Sequence, residues 1–133
     1  MAIDFAERAL ALVGTRFRPQ GRGREGLDCV GLVLAAFGIP AADVRSDYRL
    51  RDEDPVELDA ALLRHFRRLH PRQLAPGDVM LMTVAQRQMH LAVRTSRGFV
   101  HAHAGLRRVV ETPGLPEWPL VAAFRRRFPA RTR

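Results

Sequence analysis

The sequence has no lysine and no asparagine, and these two absences exclude several kinds of active site. All 22 basic residues are arginine, so there is no Schiff-base lysine, no Ser-Lys dyad and no phosphate-binding P-loop lysine. Without asparagine there can be no Cys-His-Asn triad. Any catalytic chemistry therefore has to be sought among other residue types.

Cysteine is almost absent as well. The single Cys29 excludes an intrachain disulfide, a CxxC motif and a cysteine zinc cluster. No apolar run approaches the roughly 20 residues that span a bilayer, so we expect no membrane span. The N-terminal stretch carries Asp4 and Glu7 among its apolar residues, unlike a secretory signal. We therefore expect synthesis in the cytoplasm without a signal peptide, and delivery by another route for any work outside the cell.

The charge of the chain is uneven. The formal net charge is +8 over 133 residues, a length typical of one domain. Residues 1–59 hold 8 arginines and 11 acids, whereas residues 60–133 hold 14 arginines and 3 acids. The end of the chain, residues 125–133, has five arginines and no acid. This pattern fits an anion-binding surface or a merely solvated face, and an aromatic content of 7% argues against nucleic acid as the partner.

A first helix is predicted over residues 4–13, followed by a loop. Asp4 can cap the helix and Gly14 can end it. The inward apolar stripe of this helix would consist of Phe5, Ala9, Leu12 and Val13. Residues 15–27 are rich in glycine and arginine, a composition that predicts an irregular loop.

A second helix is predicted directly after that loop. Asp28 is a strong N-cap, Gly38 is a C-terminal stop, and the residues between them are almost all apolar. Cys29 therefore falls in the first turn of a short, buried helix. An isolated cysteine in such a helix is usually inert core. The N–H groups and partial positive charge of a helix start, however, stabilise a thiolate and can hold the oxyanion of a tetrahedral intermediate.

The rest of the sequence predicts one more helix and then strands. Asp54 begins a helix that we expect to extend to about Leu69, with an inward stripe of Leu58, Leu62, Leu63 and Phe66. After the turn at residues 75–78 the apolar period changes to that of strands. These are predicted at residues 79–84, 90–95, 98–103 and 107–111, while residues 120–128 fit a last strand or a helix, of which we favour the strand. Helices followed by an antiparallel meander predict an α+β fold in a single domain, residues 1–133.

A nucleophilic cysteine needs a histidine as its base, and the chain has five. His65 and His70 fall in the arginine-rich third helix and its exit, and we expect them on the solvated surface. His90 begins one strand, while His101 and His103 share one face of the next strand. The turn between these strands brings the imidazoles together, so that one can lie against the thiol and another can fix its tautomer.

Four motifs occur in a fixed order and carry a resemblance to one family. They are DCVGLV at residues 28–33, PGDV at residues 76–79, HLAV at residues 90–93 and FVHA at residues 99–102. In this order they resemble the DCSGLV, PGDLVFF, HVGIY and FIHA motifs of the NlpC-type cell-wall cysteine peptidases. The resemblance covers about residues 5–111. It implies a papain-like core in which the cysteine lies at a helix N-terminus packed on an antiparallel sheet.

The resemblance also implies roles for particular residues. Cys29 would be the nucleophile, His90 the general base and acid, and His101 the orienting third residue. The implied reaction is hydrolysis of a peptide bond in the peptidoglycan stem, commonly between D-glutamate, through its γ-carboxyl, and diaminopimelate. It requires no metal and no other cofactor.

Two positions of the substrate site depart from the family pattern. Phe17 stands where many members have tyrosine, and Val30 stands where serine is common. We expect Phe17 and Asp28 to contact the substrate. The stem peptide carries several carboxylates, and the candidates for a bidentate partner are Arg22, Arg24, Arg94 or Arg107. Of these we select Arg94.

The motif DCVGLV, without a signal or a wall-binding repeat, is most similar to the variants found in phage tails and gene transfer agents. The similarity implies a tail or virion component that acts at the cell wall or in the periplasm. Its partners would be the peptidoglycan stem peptide and a tail-hub or baseplate protein. The arginine-rich end, residues 125–133, is predicted to contact that assembly or the charged wall.

Other functions stay open on the sequence alone. The fold could serve mainly as a tail-hub scaffold with weak or lost activity, or catalyse another acyl transfer as an amidase or acyltransferase. A basic nucleic-acid-binding module would bind DNA with a steep salt dependence that survives Cys29→Ala. A zinc site could use His90, His101 and His103, although a catalytic zinc gives no reason for a cysteine at a helix start.

Overall fold

The computed structural model describes residues 3–23, 25–40, 55–85 and 88–127. In these ranges the helices are α1 (Phe5–Leu10), α2 (Cys29–Phe37) and α3 (Pro55–Leu63), with a 3-10 turn at Pro71–Gln73. The strands are β1 (Arg22–Gly23), β2 (Gly26–Leu27), β3 (Phe66–Leu69), β4 (Val79–Ala85), β5 (Gln88–Arg94), β6 (Gly98–His103), β7 (Arg108–Pro113) and β8 (Leu120–Arg126). None of the described helices is long and apolar enough to cross a membrane.

Six of the strands form one antiparallel sheet in the order β3-β8-β4-β5-β6-β7. The run from β4 to β7 is the predicted meander, and together with the helices it confirms the α+β fold. The last strand departs from the meander, because β8 lies between β3 and β4. Its residues Ala122, Ala123 and Phe124 are all buried, so this apolar segment takes a central place in the sheet rather than an edge.

The centre of the sheet is covered on both faces, because successive strand residues point to opposite sides. Against one face lies α2, which packs on the odd-numbered residues of β4 and β5. The opposite face carries a smaller cluster of buried residues, Met80, Met82, Ala92 and Phe99. Three partly buried side chains pack over this cluster: Leu74, Trp118 and Leu120.

The start of α2 is fixed by its cap and by two glycines. The Oδ1 atom of Asp28 accepts a hydrogen bond from Gly31 N at 2.7 Å, and Gly38 ends the helix in the left-handed region with φ of 67°. Both features confirm the predicted helix. A Cβ atom at Gly31 would overlap the carbonyl oxygen of Gly21, which accepts a hydrogen bond from Asp28 N at 3.3 Å. The preceding segment therefore lies against the first turn because residue 31 has no side chain.

The first helix is shorter than predicted. Its cap is confirmed, since Asp4 Oδ1 accepts a hydrogen bond from Glu7 N at 3.0 Å. The helix ends at Leu10, however, and the chain continues to Gly14 in turns closed by i→i+3 hydrogen bonds. This change of winding rotates Val13 outward, and it is 45% exposed instead of facing the core.

The prediction of an irregular loop over residues 15–27 is wrong. β1 and β2 form a short antiparallel hairpin, and the chain around Phe17 runs alongside it. Leu27 N donates to Arg16 O at 2.9 Å, and Arg18 N donates to Leu27 O at 3.2 Å. The glycines of this segment permit the backbone to approach itself closely, so backbone hydrogen bonds order a sequence with few apolar side chains.

The predicted third helix is too long. α3 ends at Leu63, which is 37% exposed rather than inward. The residues that follow form β3, in which Phe66 and Leu69 are buried and the two arginines between them are exposed. Phe66 and Leu69 are three residues apart, a spacing that fits a helix as well as a short edge strand. The segment forms a strand because its backbone pairs with β8. The predicted cap Asp54 and the side chain of Leu58 lie outside the described residues.

We expect Gly31→Ala to destabilise the protein, because the added Cβ atom meets a backbone carbonyl that cannot move without shifting the segment before α2. The free energy of unfolding should fall by about 1–3 kcal/mol, the range for overpacking, in urea unfolding followed by circular dichroism. Gly23→Ala is the matched control, since nothing lies within 4 Å of a Cβ atom there. Its stability should stay within about 0.5 kcal/mol of wild type. Equal losses in the two variants would contradict the contact.

Candidate active site

One cavity of about 430 Å³ brings together the predicted site residues with the exception of Arg94. Its wall contains Cys29, His90 and His101. The two predicted substrate contacts, Phe17 and Asp28, line the same cavity. Residues that are 60 positions and more apart in sequence thus meet at one concave site, which makes this cavity the candidate active site.

The cavity lies where β5 and β6 stop pairing. Within residues 88–103 their ladder consists of two residue pairs next to the turn that joins them, although both strands continue. Beyond these pairs β5 stays bonded to β4, and β6 stays bonded to β7. The sheet is therefore open between His90 and His101. Side chains from both faces reach the opening, Met89 and Ala102 from the main core and Trp118 from the opposite side.

Cys29 is the first residue of α2 and is only 2% exposed. Because it lines the cavity, a substrate would reach the sulfur from there. The N-terminal end of α2 places the positive end of the helix dipole at the sulfur. Asp28, immediately before it, is also buried and uses its carboxylate to cap the helix. Its predicted contact with substrate stays a prediction, which its place in the cavity wall permits.

A chain of hydrogen bonds connects both histidines to a threonine. His90 Nε2 lies 3.0 Å from His101 Nδ1, and His101 Nε2 lies 2.9 Å from Thr112 Oγ1. Neutral imidazoles allow an arrangement in which His90 donates to His101 and His101 donates to Thr112. In this arrangement the Nδ1 atom of His90 keeps its lone pair and can accept a proton.

Burial keeps both imidazoles uncharged at neutral pH. Desolvation, followed by the neighbouring His101 and His103, lowers the pKa of His90 to about 3. Desolvation, followed by His103, lowers the pKa of His101 to about 4. Both imidazoles are therefore neutral in this structure, and neutral imidazole is the form in which a histidine can accept a proton.

His103 lies in the same cavity wall but belongs to a different set of contacts. Its Nδ1 atom accepts a hydrogen bond from Leu106 N at 3.1 Å, so the neutral ring carries its proton on Nε2. Its ring centroid lies 5.6 Å from that of His101, and among the described residues no hydrogen bond joins it to His90 or His101. The geometry therefore favours His101 over His103 as the partner of His90.

Sequence patterns do not predict two residues of the site, Thr112 and Trp118. The ring of Trp118 lies 5.7 Å from that of His90 and 5.9 Å from that of His101, edge-on to both. It shields the two imidazoles from water. A signal for Trp118 exists, since it is the single tryptophan of the chain and tryptophan combines a large apolar surface with a polar N–H group. Thr112 has no comparable signal, because its place depends on the register of β6 and β7.

The structure does not bring Arg94 to the cavity. Its Nη1 atom donates to the carbonyl oxygens of Gly98 at 2.8 Å and Gly114 at 3.3 Å. Arg94 therefore ties the turn between β5 and β6 to the end of β7, because the nearest acceptors for its guanidinium are these carbonyls. Arg24 and the side chain of Arg22 lie outside the described residues.

The zinc hypothesis gains no support from the site. The described ranges contain no group of three His, Cys, Asp or Glu side chains placed to hold a metal ion. His90 Nε2 and His101 Nδ1 are hydrogen-bonded to each other. A metal ion would need the lone pair of one of these nitrogens and would have to break this hydrogen bond.

Solved structures resemble this chain over most of its length. The NlpC/p60 domain of the peptidoglycan hydrolase SagA matches with a TM-score of 0.59 and 16% identity, over 83% of this chain and 86% of that chain. NlpC2 from Trichomonas vaginalis matches with a TM-score of 0.66 and 18% identity, over 95% of this chain and 47% of that chain. NlpC1 from Trichomonas vaginalis matches with a TM-score of 0.65 and 19% identity, over 92% of this chain and 42% of that chain. This chain thus spans less than half of the two Trichomonas proteins.

No protein-family model and no curated protein sequence matches the chain. A cysteine at the start of a buried helix, packed on an antiparallel sheet with histidines on neighbouring strands, defines a papain-like α+β architecture. Within that class the chain has the fold of the NlpC/p60 domains. This confirms the predicted fold and the resemblance to NlpC-type domains, while the resemblance to phage-tail variants stays a prediction.

The lowered pKa values of His90 and His101 predict a loss of stability in mild acid. The unfolded chain takes up protons on these histidines below about pH 6.5, whereas the folded chain does so only near pH 3 and pH 4. Their contribution to stability is therefore complete above pH 6.5 and is lost as the pH falls toward 4, by up to about 1.4 kcal/mol per pH unit for each histidine.

Urea unfolding between pH 4 and pH 7.5 measures how steeply the free energy of unfolding depends on pH. We expect His90→Gln and His101→Gln to have a shallower dependence than wild type, because each removes one of the proton-binding groups. His70→Gln is the matched control, since this imidazole is exposed and lies outside the cavity wall. A slope that is unchanged in all variants would contradict the buried neutral pair.

Proposed function

We propose that this protein is a cysteine peptidase that hydrolyses the peptide stems of peptidoglycan. The observation that carries the proposal is the joint placement of Cys29, at the N-terminus of α2, and the hydrogen-bonded pair of His90 and His101 in one cavity. The fold supports the same class of chemistry, since a domain of similar fold belongs to the peptidoglycan hydrolase SagA. In this proposal the nucleophile, the base and the orienting residue are those implied by the sequence motifs.

Acylation would begin with a proton transfer from the Cys29 thiol to Nδ1 of His90 as the sulfur attacks the carbonyl carbon of the peptide bond. The tetrahedral intermediate would then collapse with cleavage of the C–N bond, and His90 would give its proton to the leaving amine. The product of this step is a thioester on Cys29. Water, deprotonated by His90, would attack the thioester, and the departing sulfur would recover the proton.

The surrounding residues would support both steps. His101 would hold the ring of His90 in one orientation through the bond between Nε2 and Nδ1, and Thr112 would hold His101 in turn. The positive end of α2 would stabilise the oxyanion. The Gly31 N–H is excluded from that task because it already donates to Asp28.

The scissile bond and the route of delivery are finer parts of the proposal. The NlpC-type motifs support a bond between D-glutamate, through its γ-carboxyl, and diaminopimelate. The likeness of DCVGLV to phage-tail variants supports action at the cell wall or in the periplasm as a tail component docked on a hub or baseplate protein. In residues 125–127 the arginines already bind within the fold: Arg125 pairs with Asp78, and Arg126 and Arg127 donate to carbonyl oxygens. Residues 128–133 lie outside the described part of the chain.

We expect purified protein to cleave muropeptides with diaminopimelate-type stems, with products identified by mass spectrometry. Cys29→Ala should abolish cleavage because the nucleophile is lost, and His90→Ala should lower kcat/KM by at least about 10³-fold because the base is lost. His70→Ala, which removes an exposed imidazole outside the cavity wall, should retain wild-type activity. No cleavage of any such stem by wild type would favour a scaffold role.

We further expect His101→Ala to reduce kcat/KM by about 10²-fold or more, and His103→Ala by less than about tenfold. The reason is that His101 bonds to His90, whereas His103 bonds to the backbone N–H of Leu106. The pH profile of kcat/KM distinguishes a positioning role of His101 from a mere loss of stability. His101 helps to lower the pKa of His90, so the acid limb of the profile should move to higher pH in His101→Ala. Equal effects of the two variants would contradict the assignment of the third residue.

A further inference from the structure

A second concavity, of about 510 Å³, lies beside the candidate active site and is lined by arginines. Its wall consists of Gly14, Arg16, Glu25, Arg107 and Arg108. We call it the arginine groove. Three of the five described lining residues are arginines, against one acidic residue.

The positive charge of the arginine groove is not balanced within the described part of the chain. Its one carboxylate, that of Glu25, pairs with Arg18 outside the groove wall. In the described ranges Arg16, Arg107 and Arg108 have no side-chain hydrogen bond and no ion pair. Other arginines do have such contacts: Arg68 pairs with Asp59 and Arg125 with Asp78. The groove thus concentrates three cations that the fold itself leaves available for a ligand.

Backbone hydrogen bonds hold the groove in shape. Val109 N donates to Thr15 O at 2.8 Å, and Phe17 N donates to Arg107 O at 2.9 Å. Arg107 itself has a φ of 60°, a left-handed conformation that glycine or asparagine adopts more readily than arginine. This conformation fixes the direction in which the chain leaves the turn toward Arg108 and β7.

The arginine groove adjoins the cavity of Cys29 along the chain, because neighbouring residues of the same two segments line the two concavities. Phe17 is in the wall of the cavity, and its neighbour Arg16 is in the wall of the groove. Gly105 is in the wall of the cavity, and Arg107, in the same turn between β6 and β7, is in the wall of the groove. A peptide that occupies the cavity and extends past Phe17 would bring its next residues toward these arginines.

We propose that the arginine groove binds a carboxylate of the peptide whose scissile bond lies at Cys29. The guanidinium groups would hold it by paired N–H···O hydrogen bonds, the geometry that arginine forms with carboxylates. The groove then selects peptides that carry an anionic group a short distance from the cleaved bond. This inference rests on the proposed function, since it assumes that a peptide occupies the cavity.

Binding to the Cys29→Ala variant tests the groove without cleavage of the ligand. The probe is the tripeptide L-alanyl-γ-D-glutamyl-diaminopimelate, compared with the same tripeptide carrying amidated carboxylates, in isothermal titration calorimetry at low and at physiological salt. We expect R16Q/R107Q/R108Q to weaken binding of the free tripeptide by about tenfold. Binding of the amidated tripeptide should be unchanged by the substitutions.

Two matched controls accompany this test. R67Q/R72Q/R97Q removes three other exposed arginines and has the same net charge, so its effect on binding should be less than about twofold. R16K/R107K/R108K keeps the charge but loses the paired hydrogen bonds, and its affinity should be intermediate. Thermal unfolding of each variant verifies that the fold is intact.

Several outcomes would contradict the proposal that the arginine groove binds a carboxylate. They are equal losses in the two glutamine triples, equal losses for the free and amidated tripeptides, and no measurable binding of either tripeptide. Failure of the proposed function has a separate signature. Binding that depends on the groove arginines, without hydrolysis by the protein that retains Cys29, would support the groove and contradict the peptidase. Hydrolysis with an unchanged KM in R16Q/R107Q/R108Q would support the peptidase and contradict the groove.

Discussion

The site depends on a close backbone contact between Gly31 and Gly21. With no side chain at residue 31, the segment before α2 lies directly on the first helical turn. Asp28 completes the contact, because its backbone N–H reaches Gly21 and its carboxylate caps the helix. The helix start can therefore be buried while its polar groups remain bonded, and Cys29 is held at a fixed point in the cavity wall.

Opposite this helix start, the sheet provides the histidines through an incomplete ladder. A complete ladder between β5 and β6 would close the sheet at His90 and His101. Instead the strands separate, and the imidazoles bond to each other across the opening. The opening also exposes polar rings inside the protein, and Trp118 covers them. Burial among these groups lowers the pKa of both histidines and keeps the pair neutral.

Local rules explain which parts of this site the sequence predicts. The Asp28 cap and the Gly38 stop act within one helix, and the neighbouring strands that carry His90 and His101 are joined by one short turn. What sequence reasoning misses depends on distant pairing. Residues 66–69 become a strand because β8 lies beside them, and Thr112 reaches His101 through the register of β6 and β7. The position of Arg94 outside the cavity wall also depends on distant pairing, since its guanidinium donates to the carbonyl oxygens of Gly98, at the start of β6, and Gly114, after β7.

The turn between β6 and β7 occupies an unusual position in this architecture. Ala104 and Gly105 face the cavity, while Arg107 faces the arginine groove. Residues of one short turn thus contribute both to the cavity of the thiol and to the charged groove. Hairpin turns tolerate insertion and substitution better than the strands that they join. A change in this one short turn would accordingly alter the lining of both concavities, while the buried helix start and the imidazole pair lie on other elements.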